Sequence, residues 1–198
     1  MTTSHLLYLH GFRSSPQSFK ARMLHIWLQQ HAPDVTWWCP QLPVSPREAW
    51  ALLMAGLQGW PVHSMAVLGS SLGGFYATAV AERLGCRAVV LNPAVNPARD
   101  LVPYVGSQTA YHDPAVKFEF KAQYIDELRA LTPVRLARPD RYAAVIAKGD
   151  ELLDWREMTQ RYAGARIRLL EGSDHALSDF ERQLDFVLEF LQLLPPSR

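Results

Sequence analysis

Gly69-Ser70-Ser71-Leu72-Gly73 closes an apolar run that starts at Met65, and it opens the stretch from Leu72 to Leu84, which reads as a helix stopped by Gly85. The pattern is G-x-S-x-G between a strand and a helix. A turn that sharp needs small residues two before and two after the serine. It lifts the serine hydroxyl above the end of a sheet, where the helix N-terminus directs amide groups at it. Ser71 is therefore the candidate nucleophile; Ser70 lacks the flanking glycines. A phosphate-binding loop would need Gly-Lys-Ser/Thr here, and the sequence does not supply it.

The same alternation runs along the chain. Short apolar runs stand at His5–Leu9, Val35–Cys39, Met65–Gly69, Ala88–Leu91, Tyr142–Ala147 and Arg166–Leu170. Continuous runs of this length read as strands buried on both faces of a parallel sheet. Helical stretches lie between them. Ser15-Pro16 reads as an N-cap and first helical position, followed by the apolar stripe Phe19, Met23, Ile26 and Trp27. Ser45-Pro46-Arg47-Glu48 repeats the device with a capping-box glutamate. A last helix puts Phe180, Leu184, Val187, Leu188 and Leu191 on one face, with Pro195-Pro196 beyond its end.

Strands alternating with helices mean βαβ units, right-handed crossovers and helices on both faces of the sheet. The fold class is α/β, expected as a single domain over residues 1–198. Ligands in such a sheet bind outside the carboxyl ends of the strands, so the chemistry belongs to the loops that follow each apolar run. One interval breaks the rhythm. Asn96 to Leu131 separates two strands and holds Tyr104, Tyr111, Phe118, Phe120 and Tyr124 among charged residues. An interval of that length carries function or its own short elements. It is expected to form a small cap, helical around Lys121–Leu131, whose aromatic side chains line a pocket or make a small core of their own.

Three further loops complete a site. His10-Gly11-Phe12 follows the first strand, where a second amide donor for an oxyanion would stand; Phe12 N–H and Leu72 N–H are the candidate pair. His10 is expected to fix this loop by hydrogen bonds. Arg13 and Lys20 flank it, as solvated charges or as contacts to a phosphate on the substrate. Lys148-Gly149-Asp150-Glu151 follows the fifth strand, and Gly172-Ser173-Asp174-His175 the sixth. The order Ser71, Asp150, His175 is that of a strand-end triad. Serine needs a histidine to take its proton, and the imidazole needs an acid to fix its tautomer and stabilise its charged form. Asp154 competes with Asp150 but falls in the next helix. Asp174 is expected to form a turn. His25, His31, His63 and His112 have no strand-end setting.

Composition narrows the classes. Of 198 residues, 48% are hydrophobic and 20% charged, which excludes a disordered chain. Charges balance, 20 Lys and Arg against 19 Asp and Glu, so neither nucleic acid nor a polybasic membrane anchor is expected as a partner. Cys39 and Cys86 are no disulfide framework, and Leu6-Leu7-Tyr8-Leu9 is too short for a signal or membrane segment. A cytoplasmic protein without membrane insertion is expected. No clustered ligand spacing points to a metal, and no cofactor is expected.

The blocks Tyr8-Leu9-His10-Gly11-Phe12, Gly69-Ser70-Ser71-Leu72-Gly73-Gly74, Asn92-Pro93-Ala94-Val95, Gly149-Asp150-Glu151 and Asp174-His175-Ala176 together resemble the YqiA-type esterases, small bacterial cytoplasmic α/β-hydrolases. The resemblance spans nearly the whole chain. It implies a compact α/β-hydrolase fold with six strands in the order 2-1-3-4-5-6, which would set the His10 loop beside Ser71. It implies hydrolysis of small-molecule acyl esters or acyl-CoA thioesters through Ser71, Asp150 and His175. The competing reading is a non-catalytic binding protein on the same scaffold.

Overall fold

A computed structural model of the chain describes residues 2–111 and 113–194. The strands are His5–Leu9 (β1), Thr36–Trp38 (β2), Met65–Ser70 (β3), Arg87–Leu91 (β4), Gly106–Thr109 (β5), Lys117–Phe120 (β6), Tyr142–Ala147 (β7) and Arg166–Leu170 (β8). The helices are Phe19–His31 (α1), Pro46–Gly56 (α2), Leu72–Leu84 (α3), Pro97–Asp100 (α4), Gln123–Leu131 (α5), Trp155–Arg161 (α6) and Leu184–Phe190 (α7).

Six strands form one sheet in the order β2-β1-β3-β4-β7-β8, every neighbouring pair parallel. Counted within that sheet alone, the order is the expected 2-1-3-4-5-6. The central strands β3 and β7 are buried at every residue, which is why their sequences carry no polar alternation. Their side chains feed two cores. Leu7, Val67, Val90 and Ile146 pack with α2, α3, α5 and α6 on one face, and Leu6, Leu68, Val89 and Val145 pack with α1 and α7 on the other. Each large side chain sealed this way contributes about 1.5–3 kcal/mol.

Several details differ from expectation. Ser15 does not cap α1: its hydroxyl accepts the Gln17 amide, and the helix starts at Phe19 with Ser18 at the N-cap position. Ala21, Leu24 and Leu28 are buried in the core; of the expected stripe, Met23 and Trp27 pack against that core, while Phe19 and Ile26 are about half exposed. Ser45 does cap α2, accepting the Glu48 amide at 3.3 Å, but the acid that completes this terminus is not Glu48. Glu127 of α5 accepts the Ser45 hydroxyl at 2.7 Å and the Arg47 amide at 3.0 Å. A carboxylate there is favoured by the positive end of the helix dipole. The last helix begins as a 3-10 turn at Phe180–Gln183 before α7. The Pro195-Pro196 stop and His112 lie outside the described residues.

The interval from 96 to 131 holds more than a helix. After α4 and a 3-10 turn at Val102–Tyr104, β5 and β6 pair antiparallel in a hairpin separate from the main sheet, and α5 follows. Among the described residues, no helix is long and apolar enough to cross a membrane.

Candidate active site

Ser71 sits between β3 and α3 with φ 56° and ψ −121°. A non-glycine residue rarely adopts a positive φ, at a cost of about 1–3 kcal/mol, and the surrounding backbone must impose it. It does so here. The Ser71 amide donates to Leu91 O at 2.9 Å, and its carbonyl accepts from Gly74 at 2.9 Å and Ala94 at 3.0 Å. The flanking glycines are required by contact. A Cβ on Gly69 would lie 2.1 Å from the Gly73 carbonyl oxygen, and one on Gly73 would lie 2.0 Å from that of Leu9.

The residues singled out on three separate loops meet at this turn. His175 Nε2 lies 2.9 Å from Ser71 Oγ, and His175 Nδ1 lies 2.8 Å from Asp150 Oδ2. A carboxylate only accepts, so Nδ1 carries the proton and Nε2 is left to accept the serine hydroxyl. The Asp150 side chain is fully buried. Its other oxygen accepts the amides of Leu152 and Leu153, each at 2.8 Å, which fixes the carboxylate plane. Asp154 is not part of this chain of bonds: it caps α6 by accepting the Arg156 amide at 2.9 Å. Asp174 closes a turn, taking the Ser178 amide and hydroxyl, and these bonds hold its carboxyl below the usual range.

Gly11 passes directly over the serine, close enough that a Cβ there would lie 3.2 Å from Ser71 Cβ. Phe12 and Leu72 both line the cleft that holds Ser71 and His175. Leu72 is the first residue of α3, so its N–H has no carbonyl one turn earlier within the helix. His10 is buried and uses both ring nitrogens. Nε2 accepts the Leu42 amide at 3.2 Å, so Nδ1 carries the proton and donates to Gly11 O at 2.9 Å. It fixes the loop.

Two residues without an assigned role in the sequence reading hold the histidine loop. Asn92, fully buried just past β4 at φ 39°, donates from Nδ2 to the carbonyls of Asp174 (2.9 Å) and His175 (3.2 Å) and accepts the Ala147 amide at 2.8 Å. Glu151 accepts the His175 amide at 2.9 Å. An asparagine directly after a buried strand is the available signal, because asparagine tolerates a left-handed backbone and carries both donor and acceptor.

The aromatic residues of the 96–131 interval divide between two spaces. Tyr104 and Tyr111 line the Ser71 cleft, of about 470 Å³. Phe118 and Phe120 line a second cavity of about 340 Å³ behind Phe12. Tyr124 lines neither and packs in the core against Phe120. Phe12 stands at the centre, edge-on to Tyr104, Phe118 and Phe120 at centroid distances of 5.7, 6.0 and 5.2 Å. Arg13 is not a solvated charge. Its Nε donates to Thr109 O at 2.6 Å, and its guanidinium lies 4.2 Å over the Tyr111 ring. Lys20 lies in the cleft, its ammonium donating to the Ala176 carbonyl.

The sheet order, the strained serine turn and the loops converging on it define an α/β-hydrolase fold. Solved structures agree. Alpha/beta hydrolase domain-containing protein 10 from mouse matches with a TM-score of 0.70 over 96% of this chain and 91% of its own, at 13% identity. Est1E from Butyrivibrio proteoclasticus with bound ferulic acid gives 0.66 over 97% and 88%, at 14% identity. A Pyrococcus furiosus esterase gives 0.65 over 98% and 84%, at 15% identity.

The chain belongs to the uncharacterised protein family UPF0227, whose model matches residues 5–192. A UPF0227 protein of Serratia proteamaculans is 29% identical over 154 residues, covering 75% of this chain and 77% of its own. One of Yersinia pseudotuberculosis is 28% identical over 164 residues, covering 80% of each.

Proposed function

We propose that the protein is a serine esterase that hydrolyses small acyl esters through an acyl-enzyme. The observation that carries this reading is the unbroken relay from Asp150 through His175 to Ser71, at 2.8 and 2.9 Å, ending on a serine held at φ 56°. Ser71 Oγ attacks the acyl carbonyl as His175 Nε2 takes its proton. Asp150 keeps Nδ1 protonated and stabilises the imidazolium. The amides of Phe12 and Leu72 receive the oxyanion; one such donor is worth about 2.7–4 kcal/mol. Collapse returns the proton from His175 to the leaving alkoxide, and a water activated by the same histidine then releases the acid. A pure binding protein has no use for this combination. Arg13 is taken up by the hairpin, so the phosphate contact that would favour an acyl-CoA substrate is missing on that side, and the ester reading is preferred.

The test is covalent. A fluorophosphonate should add once, on Ser71, and Ser71→Ala should abolish both the adduct and turnover of p-nitrophenyl esters. An adduct on Ser70, or none on folded protein, overturns the assignment.

A further inference from the structure

The two flanks of Ser71 have different chemistry. Toward the hairpin the walls are aromatic. Toward α1 the cleft runs against Tyr8, Ser18 and Lys20. Tyr8 belongs to β1 and lies on the sheet face covered by α1 and α7. It is 0% exposed, and its phenol oxygen has no hydrogen-bond partner among the described residues. The buried hydroxyl of Ser18, at the N-cap position of α1, has none either, and it caps no amide of that helix. Ser18 lies near enough to ease ionisation of the phenol, which burial otherwise opposes, yet the two hydroxyls do not meet in hydrogen-bonding geometry. Buried hydroxyls without partners are rare, and two lining one cleft call for a ligand to explain them.

Lys20 adds charge to the same place. It forms no ion pair among the described residues. Burial pulls its ammonium down to about 8, against a partial opposing pull from Asp174. Of the cleft's own acids, Asp100 is paired with Arg99 Nε at 2.8 Å, and Glu151 accepts the His175 amide and keeps its charge. The first turn of α1, a helix of 13 residues, brings the positive end of its dipole to this flank.

We propose that Tyr8, Ser18 and Lys20 form a subsite for a carboxylate borne by the substrate, so that the preferred esters are small and carry a free carboxylate. Two hydroxyl donors and one ammonium match the two oxygens and single charge of a carboxylate; a phosphate dianion would call for a second cation. This deepens the esterase reading, because the bound carboxylate would place the ester within reach of Ser71.

The experiment separates the two. Ser71→Ala protein, which cannot turn over, is titrated calorimetrically with the monomethyl esters of succinate, glutarate and adipate, and with the matching dimethyl esters. At least one half-ester should bind saturably, and its dimethyl ester should not compete. Lys20→Met, added to Ser71→Ala, should weaken that binding about tenfold, the loss typical of a charge-assisted contact. Tyr8→Phe removes only the hydroxyl and should weaken it about fivefold; it keeps the test open if Lys20→Met fails to fold. The subsite is overturned if no half-ester binds better than its dimethyl ester, or if the folded variants retain full affinity. Fluorophosphonate labelling of the wild type reports on Ser71 alone. Labelling without half-ester binding removes the subsite only, and half-ester binding without labelling removes the esterase reading only.

Discussion

The turn around Ser71 and the β5–β6 hairpin touch the same loop, His10–Arg13, and they are held in opposite ways. The turn is fixed by backbone against backbone. Its glycines leave no room for a Cβ, and the amide and carbonyl of Ser71 are bonded to neighbouring strand ends and turns. The hairpin is fixed largely by side chains reaching in from elsewhere. Phe12 fills the space between its aromatic residues, Arg13 bonds Thr109 and covers Tyr111, and the following α5 is tied down by Glu127 at the start of α2. A region built on backbone fit carries its geometry in a short motif. A region built on distant side chains is readable only when those partners are known.

The contrast makes claims that experiments can break. The largest effect should come from Asp150→Asn, which leaves the fold in place but loses the acceptor that sets the imidazole tautomer. Ester hydrolysis should fall on the order of 10⁴-fold, as in the best-studied triad, with the melting temperature little changed. Asp154→Asn touches only the α6 cap, so a comparable loss from it would move the acid.

Next comes Phe120→Ala. The ring is 1% exposed and packs on Phe12 and Tyr124, so a loss of about 3–5 kcal/mol is expected in chemical denaturation. Below the lowered melting temperature, Ser71 should still react with fluorophosphonate, because the turn does not depend on the hairpin. Loss of labelling in folded protein would erase the distinction between the two regions.

Glu127→Gln should cost less, about 0.3–1 kcal/mol, since it keeps an acceptor for Ser45 and Arg47 but removes the charge at the helix dipole. Hydrogen exchange should quicken in α2 and α5 and stay unchanged in α3. Equal quickening in α3 would show that the hairpin side and the turn share one cooperative unit.

The smallest effect concerns pH. The carboxyl of Asp174 is held below its usual range chiefly by the Ser178 hydroxyl and amide. A depressed carboxyl stabilises the fold above its unfolded-state value, near 3.9, and that contribution disappears as pH falls through the lower folded value. The turn at Asp174–Ser178 should therefore loosen only below about pH 4. Asp174→Asn should flatten that acid limb slightly. A variant curve superimposable on wild type through pH 2–5 would show that the turn contributes nothing.

Sequence and structure agree where one physical cause dominates. β3 and β7 are legible because strands buried on both faces read as near-continuous apolar runs. The serine turn is legible because sterics demand glycine at 69 and 73. The limits of α1 are not, because Ser15-Pro16 forms its own turn and the helix phase that follows turns Ala21, Leu24 and Leu28 to the sheet and leaves Phe19 and Ile26 half exposed. The hairpin is not legible, because Gly106-Ser107-Gln108-Thr109 has no apolar pattern. Its strand form comes from pairing with Lys117-Phe118-Glu119-Phe120 and from Arg13, ninety-six positions from Thr109. Asn92 and Glu151 stand within recognisable motifs, but their task depends on where the His175 loop lands, which spacing alone does not tell.

The positive φ of Ser71 has a consequence for how this protein can change over generations. Left-handed backbone costs a residue with a Cβ about 1–2 kcal/mol that glycine does not lose. Ser71→Gly should therefore melt above Ser71→Ala, by about 2–4 °C for each kcal/mol in a chain of this size. Durability and reactivity pull on this position in opposite directions. A screen that rewards only resistance to heat would drift toward glycine at 71 and keep, as its winner, a protein stripped of the serine proposed as its nucleophile.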